Sequence, residues 1–167
     1  SDSQASAKVI QIGGRKISVL PDTTVDSDLE VLLPESYIES TRERVRLYRE
    51  LDEIADESSL ETFSNQLIDR FGELPLQTIA LLNIVRLRWV AQEVGIERIQ
   101  LKNGRMVCYF ISNQDSPYYR SAEFSRVLQF VQKNPRSCRM KEASGKLTLS
   151  FENIRTVDRG LQILREI

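Results

Sequence analysis

The chain has 167 residues, 41% of them hydrophobic and 28% charged, with two cysteines and no histidine. That length suits one domain with a tail, and the lack of histidine excludes Ser-His or Cys-His nucleophile pairs and, with no CxxC, leaves a zinc site without its usual ligands. The formal charge of −1 conceals a division, because residues 1–95 carry 10 Lys+Arg against 17 Asp+Glu whereas residues 96–167 carry 13 against 7. An acidic half joined to a basic half suits a docking surface or an anion-binding face.

The chain opens on Ser1 rather than Met, which reads as a fragment or a processed chain. Residues 1–28 hold few large apolar side chains and several turn formers, including Gly13-Gly14 and Asp26-Ser27-Asp28. They read as a linker or upstream segment, with one short hairpin through Val9–Ile12 and residues 17–20. Residues 29–167 read as a single domain. Leu29 to Leu33 reads as a short strand stopped by Pro34.

Three helices are expected next. Ser40-Thr41-Arg42-Glu43 has the form of a capping box, followed by Leu47, Tyr48, Leu51, Ile54 and Ala55 at helical spacing. Ser58-Ser59-Leu60-Glu61 repeats that form ahead of Leu60, Phe63, Leu67, Ile68 and Phe71, and Gly72 is placed to end the helix. Pro75 suits a helical first turn. The third helix then runs to Val94, with Gly95 as its stop. Leu76, Ile79, Leu82, Val85, Trp89 and Val90 make it apolar around most of its girth, as expected of a central helix packed on more than one side.

Beyond residue 95 the apolar period changes. Arg98–Lys102, then Asn103-Gly104, then Arg105–Ile111 is a hairpin pattern. A helix follows from Asp115–Pro117, with Phe124, Val127, Leu128 and Val131 on one face and Asn134-Pro135 at its end. Ser137–Glu142, Ser144-Gly145 and Lys146–Phe151 form a second hairpin. A last helix carries Ile154, Val157, Leu161 and Leu164. The fold class is therefore α+β: a three-helix unit, then hairpin–helix–hairpin–helix, with a four-stranded antiparallel sheet and helices packed on one face.

Motifs for chemistry are sparse. Gly13-Gly14-Arg15-Lys16 lacks the spacing of a phosphate-binding loop, and no dinucleotide-binding glycine pattern occurs. Asp52-Glu53 and Asp56-Glu57 fall on a solvated helix end rather than in a cleft. Cys108 and Cys138 lie in apolar or strand-like segments and read as buried thiols. No cofactor, metal site or catalytic residue is expected. No apolar run reaches the ~20 residues that span a bilayer, and no charged-then-apolar leader opens the chain. The expectation is a cytoplasmic, monomeric, non-enzymatic chain without membrane contact. One binding feature stands out. Arg98, Lys102 and Arg105 surround the first hairpin, and Arg136, Arg139, Lys141 and Lys146 the second. They suit either nucleic-acid binding through the hairpins of residues 96–150 or ordinary solubility charge on a strand face.

One string is more specific. Leu67-Ile68-Asp69-Arg70-Phe71-Gly72-Glu73-Leu74-Pro75 resembles the LIDRFGxLP signature in the last domain of bacterial transcription-repair coupling factors. Leu33-Pro34-Glu35-Ser36-Tyr37-Ile38 resembles that domain's opening P-x-x-Y-I, and Arg46–Leu51 its RLxLYxxL helix. Residues 84–88, with Ala91 and Gly95-Ile96, resemble its ARLR…A…GI helix end. These matches fall in order over about residues 29–112, and the remainder fits by element order and length.

The resemblance implies a regulatory domain of an ATP-dependent DNA translocase. That parent displaces stalled RNA polymerase from damaged DNA and recruits excision-repair proteins. Its motor motifs lie upstream in the family and are not in this sequence. The domain would dock on the N-terminal module of the same chain, which resembles a repair-helicase subunit. Docking would mask the surface recruiting the damage-recognition ATPase and restrain the motor. The family's clamp uses acidic residues in the helix before the RFG. Asp69 matches one of them, and Gln66 stands where the other would be. Arg70 neighbours both. Asp69, Gln66 and Arg70 are therefore the expected partner-binding residues, with a hydrogen bond replacing a charge-assisted contact at Gln66. Asp69 pairing with Arg70, Arg86 or solvent is the alternative.

Overall fold

The computed structural model describes residues 9–12, 15–18 and 22–167, with side chains from residue 22 onward. Two compact units are present. One is Glu30–Arg86, and the other combines Leu87–Ile167 with the described residues up to Leu29.

In the Glu30–Arg86 unit, helix α1 spans Thr41–Asp52 and helix α2 spans Glu57–Phe71. Helix α3, Leu76–Val94, begins here and continues into the other unit. Ser40 caps α1 as expected, accepting the Glu43 backbone N–H on its hydroxyl at 3.2 Å. The cap of α2 is Asp56 rather than the expected Ser58. The Ser59 backbone N–H donates to Asp56 Oδ1 at 2.8 Å and its hydroxyl to Oδ2 at 3.0 Å. Of two adjacent capping candidates, the carboxylate also gains from the positive end of the helix dipole, so it takes the cap and Ser58 falls inside the helix. Gly72 ends α2 at φ +91 with its N–H on the Ile68 carbonyl, as expected.

The core of this unit is Leu47 and Leu51 of α1, Leu60, Phe63 and Leu67 of α2, Leu82 and Val85 of α3, and Leu33 and Ile38 ahead of α1. Leu29–Leu33 is not a strand. Its backbone instead serves the helices, the Leu33 N–H donating to the Tyr48 hydroxyl at 2.7 Å and the Leu32 N–H to the Gln77 carbonyl at 3.2 Å. Leu32 is left exposed and Leu33 buried.

The other unit is built on a sheet. Strands β1 (Val9–Ile12) and β2 (Arg15–Ser18) form a separate antiparallel pair. β2 begins two residues ahead of the expected second strand, residues 17–20, of which Val19-Leu20, like the Gly13-Gly14 turn, lies outside the described residues. The main sheet has five strands: β3 (Thr24–Ser27), β4 (Ile96–Lys102), β5 (Arg105–Phe110), β6 (Arg139–Ala143) and β7 (Lys146–Glu152). Their order is β3-β4-β5-β7-β6. The four strands after residue 95 are antiparallel, as expected. The fifth, β3, lies inside the expected linker and pairs in parallel with β4, so the sheet is mixed rather than four-stranded antiparallel. Thr23 helps fix that pairing, its buried hydroxyl donating to the Ile96 carbonyl at 2.5 Å.

Both hairpin turns carry two residues at positive φ, Asn103 (57°) with Gly104 (71°) and Ser144 (52°) with Gly145 (74°). This backbone matches the right-handed strand twist. The segment after β5 starts as a 3-10 turn, Pro117–Arg120, and becomes helix α4 only at Ala122–Lys133. Ser121, extended at φ −86 and ψ 163, interrupts the expected single helix and caps α4 through the Phe124 N–H. Helix α5 is Val157–Arg165.

Strand alternation puts Ile99, Leu101, Met106, Cys108, Phe110, Leu149 and Phe151 on one buried face. α4 covers it through Phe124 against Phe110 and Phe130 against Phe151. α5 covers it through Gly160, where a Cβ would stand 3.1 Å from Met106 Sδ. Both cysteines are buried free thiols, as expected, and burial pushes the pKa of each upward.

Candidate interaction surface

The exposed flank of α2 follows from its amphipathic period. Leu60, Phe63 and Leu67 take the core, so the stripe Thr62, Gln66, Asp69 is turned outward and exposed. Gln66 and Asp69 thus share one helix face, as their spacing predicts. Neither side chain makes a hydrogen bond or ion pair with another described residue. The in-chain alternatives for Asp69 are taken by other carboxylates. Arg70 Nη2 meets Glu43 Oε1 at 2.7 Å, and Arg86 makes a two-pronged contact with Glu57 at 2.7 and 2.8 Å.

Arg70 also lies over the Phe71 ring, 4.7 Å from its centroid. Its guanidinium is half exposed and ties α2 to Glu43 of α1. Glu43 receives Arg46 as well, at 2.5 Å. Hydrogen bonds from Arg46 and then Arg70 pull the Glu43 carboxyl down to about 2. The end of α2 is held by Tyr37, whose hydroxyl donates to the Gly72 carbonyl at 2.7 Å and whose ring leans on Phe71 at 5.7 Å. The signature string therefore ends in a turn clamped on both sides, which fixes the bearing of Asp69.

Four apolar side chains expected on buried helix faces are exposed, Ile68, Leu76, Ile79 and Leu128. Ile68 is 43% exposed beside Asp69, and Leu76 is 82% exposed at the start of α3. Ile68 stands at the margin of the core stripe, one residue past Leu67. Leu76 follows Pro75 directly, and the capping turn displays it. Six arginines against twelve acidic residues make the whole Glu30–Arg86 unit acidic.

The basic hairpins lie in the other unit. Arg98 pairs with Asp26 at 3.1 Å and Arg105 with Glu152 at 2.8 Å. Lys102, Arg136, Arg139, Lys141 and Lys146 are exposed and in no ion pair among the described residues. No group of three or more potential metal ligands occurs among the described residues, and none of their helices is long and apolar enough to cross a membrane.

Comparison with known proteins places these features in a family frame. The model for the TRCF domain matches residues 27–121, which include the clamped signature turn and the first hairpin. The transcription-repair-coupling factor of Rickettsia conorii is 30% identical over 108 residues, 65% of this chain and 9% of that protein. That of Escherichia coli K12 is 30% identical over 132 residues, 76% of this chain and 11% of that protein. The chain thus spans about a tenth of the length of these relatives. A crystal structure of the C-terminal domain of a transcription-repair coupling factor superposes with a TM-score of 0.71 at 22% identity, covering 89% of this chain and 92% of that one. At that identity the likeness is one of fold.

Proposed function

The chain belongs to the transcription-repair coupling factor family through its TRCF domain, and from that premise we propose that it is a non-catalytic regulatory domain of an ATP-dependent DNA translocase that couples transcription to excision repair. In this reading it acts in the cytoplasm as a monomeric body within the longer parent. It docks on the parent's N-terminal, repair-helicase-like module. Docking covers the surface that recruits the damage-recognition ATPase and holds the motor in check. RNA polymerase, DNA and repair proteins are partners of the parent.

The observation that carries the reading is the outward stripe of Gln66 and Asp69, unpaired among the described residues and bordered by exposed Ile68. Polar side chains without in-chain partners beside an exposed aliphatic group are the ingredients of a protein interface with a polar rim. The acidic balance of the Glu30–Arg86 unit selects a basic partner surface. An intramolecular tether raises the effective concentration of the partner, so a weak interface of this kind stays closed until a competitor arrives.

Asp69→Arg is the direct test. It places a cation where the partner presents cations and should weaken binding to the isolated N-terminal module at least tenfold by calorimetry. Gln66→Glu, which restores the family's second carboxylate, should strengthen it. Unchanged affinity in Asp69→Arg would remove α2 from the interface.

A further inference from the structure

The strand registers decide which side chains share the face of the main sheet opposite α4 and α5. Lys102 pairs with Arg105, and Arg105 with Glu152. Arg98 pairs with Tyr109, Tyr109 with Thr148, and Thr148 with Lys141. Arg139 pairs with Ser150 one step along β6, and Lys146 lies one step beyond Thr148 on β7. Paired residues lie on one face of a sheet. Six cations (Arg98, Lys102, Arg105, Arg139, Lys141, Lys146) therefore stand on this face, and all six are exposed.

Its carboxylates are Asp26 and Glu152, which neutralise Arg98 and Arg105. Four cations remain without a carboxylate among the described residues. Three of them, Arg139, Lys141 and Lys146, run along the β6–β7 edge, and strand geometry spaces them by roughly 7–8 Å. Like charges at that spacing repel, so the array is held ready for an anion with charges repeated along its length.

We propose that this open face of the sheet docks the phosphate backbone of duplex DNA through Lys102, Arg139, Lys141 and Lys146. Two observations choose this occupant. Protein interfaces are anchored by large apolar or aromatic side chains, and none of the exposed large hydrophobics (Leu32, Val45, Ile68, Leu76, Ile79, Leu128) lies on this face. A single strand would need a free aromatic ring for base stacking. Tyr109 is committed instead, its ring under Arg98 at 5.4 Å and its hydroxyl donating to Gln100 at 3.2 Å. Backbone contacts without base contacts position a duplex and carry no sequence preference.

The experiment is a fluorescence anisotropy titration of the 167-residue chain with a labelled 20-base-pair duplex of arbitrary sequence. Four phosphate contacts give an affinity that falls about 100-fold between 50 and 200 mM salt. Arg139→Glu with Lys141→Glu should weaken binding more than tenfold and flatten the salt slope. Arg139→Lys with Lys141→Arg should bind as the unsubstituted chain does. Asp69→Arg, in the other unit, should leave DNA binding intact, which separates this surface from the docking stripe. Several results overturn the proposal: no binding at 50 mM salt, unchanged affinity in the charge-reversed pair with its circular dichroism spectrum retained, or tighter binding of poly-glutamate than of the duplex.

Discussion

Gly95→Ala offers a quantitative test of how the sheet unit is locked. Gly95 ends α3 at φ +98, and a Cβ built there would stand 2.1 Å from Cε1 of Tyr118. Tyr118 cannot retreat, because it is 2% exposed, its hydroxyl donates to the Val94 carbonyl, and its ring meets Phe110, Tyr119 and Phe124. Backbone strain contributes about 1–3 kcal/mol and forced overpacking about another 1–3 kcal/mol, so the substitution should cost roughly 4 kcal/mol. Gly72 supplies the control. It lies at φ +91, and a Cβ there would meet nothing within 4 Å, so Gly72→Ala should cost the strain alone, about 2 kcal/mol. Urea unfolding followed by circular dichroism and Trp89 fluorescence measures both. Adding Tyr118→Ala to Gly95→Ala should bring the extra cost of the glycine change down to the strain component. Equal losses for Gly95→Ala and Gly72→Ala would refute the packing argument.

Two further outcomes rest on the helical unit. Asp56→Ala should destabilise by about 1 kcal/mol and Ser58→Ala by much less, read from urea midpoints, because Asp56 holds the cap. The Glu43 carboxyl, brought from its ordinary 4.5 to about 2 by Arg46 and Arg70, contributes stability that is complete above pH 4.5. That contribution should fade as the pH falls toward 2. Unfolding midpoints of the unsubstituted chain and Glu43→Gln should therefore converge across that window and differ above it, and parallel curves would contradict the clamp.

The locally encoded parts of the fold were legible in the sequence. Asn103-Gly104 and Ser144-Gly145 mark turns because few residue pairs tolerate two successive positive φ values. Gly72 and Gly95 mark helix ends for the same reason. The outward bearing of Gln66 and Asp69 follows from the spacing of Leu60, Phe63 and Leu67. What escaped depends on partners distant in sequence. β3 is four residues rich in turn formers, and it is a strand because β4, more than seventy residues on, supplies its hydrogen bonds. Leu29–Leu33 has strand-like composition, yet Tyr48 and Gln77 claim its backbone donors. Arg70 was legible as a neighbour of the stripe, but its ion pair with Glu43 joins two helices and no local pattern encodes it. The same holds for the open basic face, where the cations are visible in the sequence and their alignment is visible only in the register.

In the proposed regulation, this domain and the damage-recognition ATPase compete for one surface of the N-terminal module. The most direct measurement immobilises that module, loads the ATPase, and adds this chain at saturating concentration. The ATPase should be displaced, with Asp69→Arg failing to displace it at the same concentration. A stable complex holding all three proteins at once would contradict it.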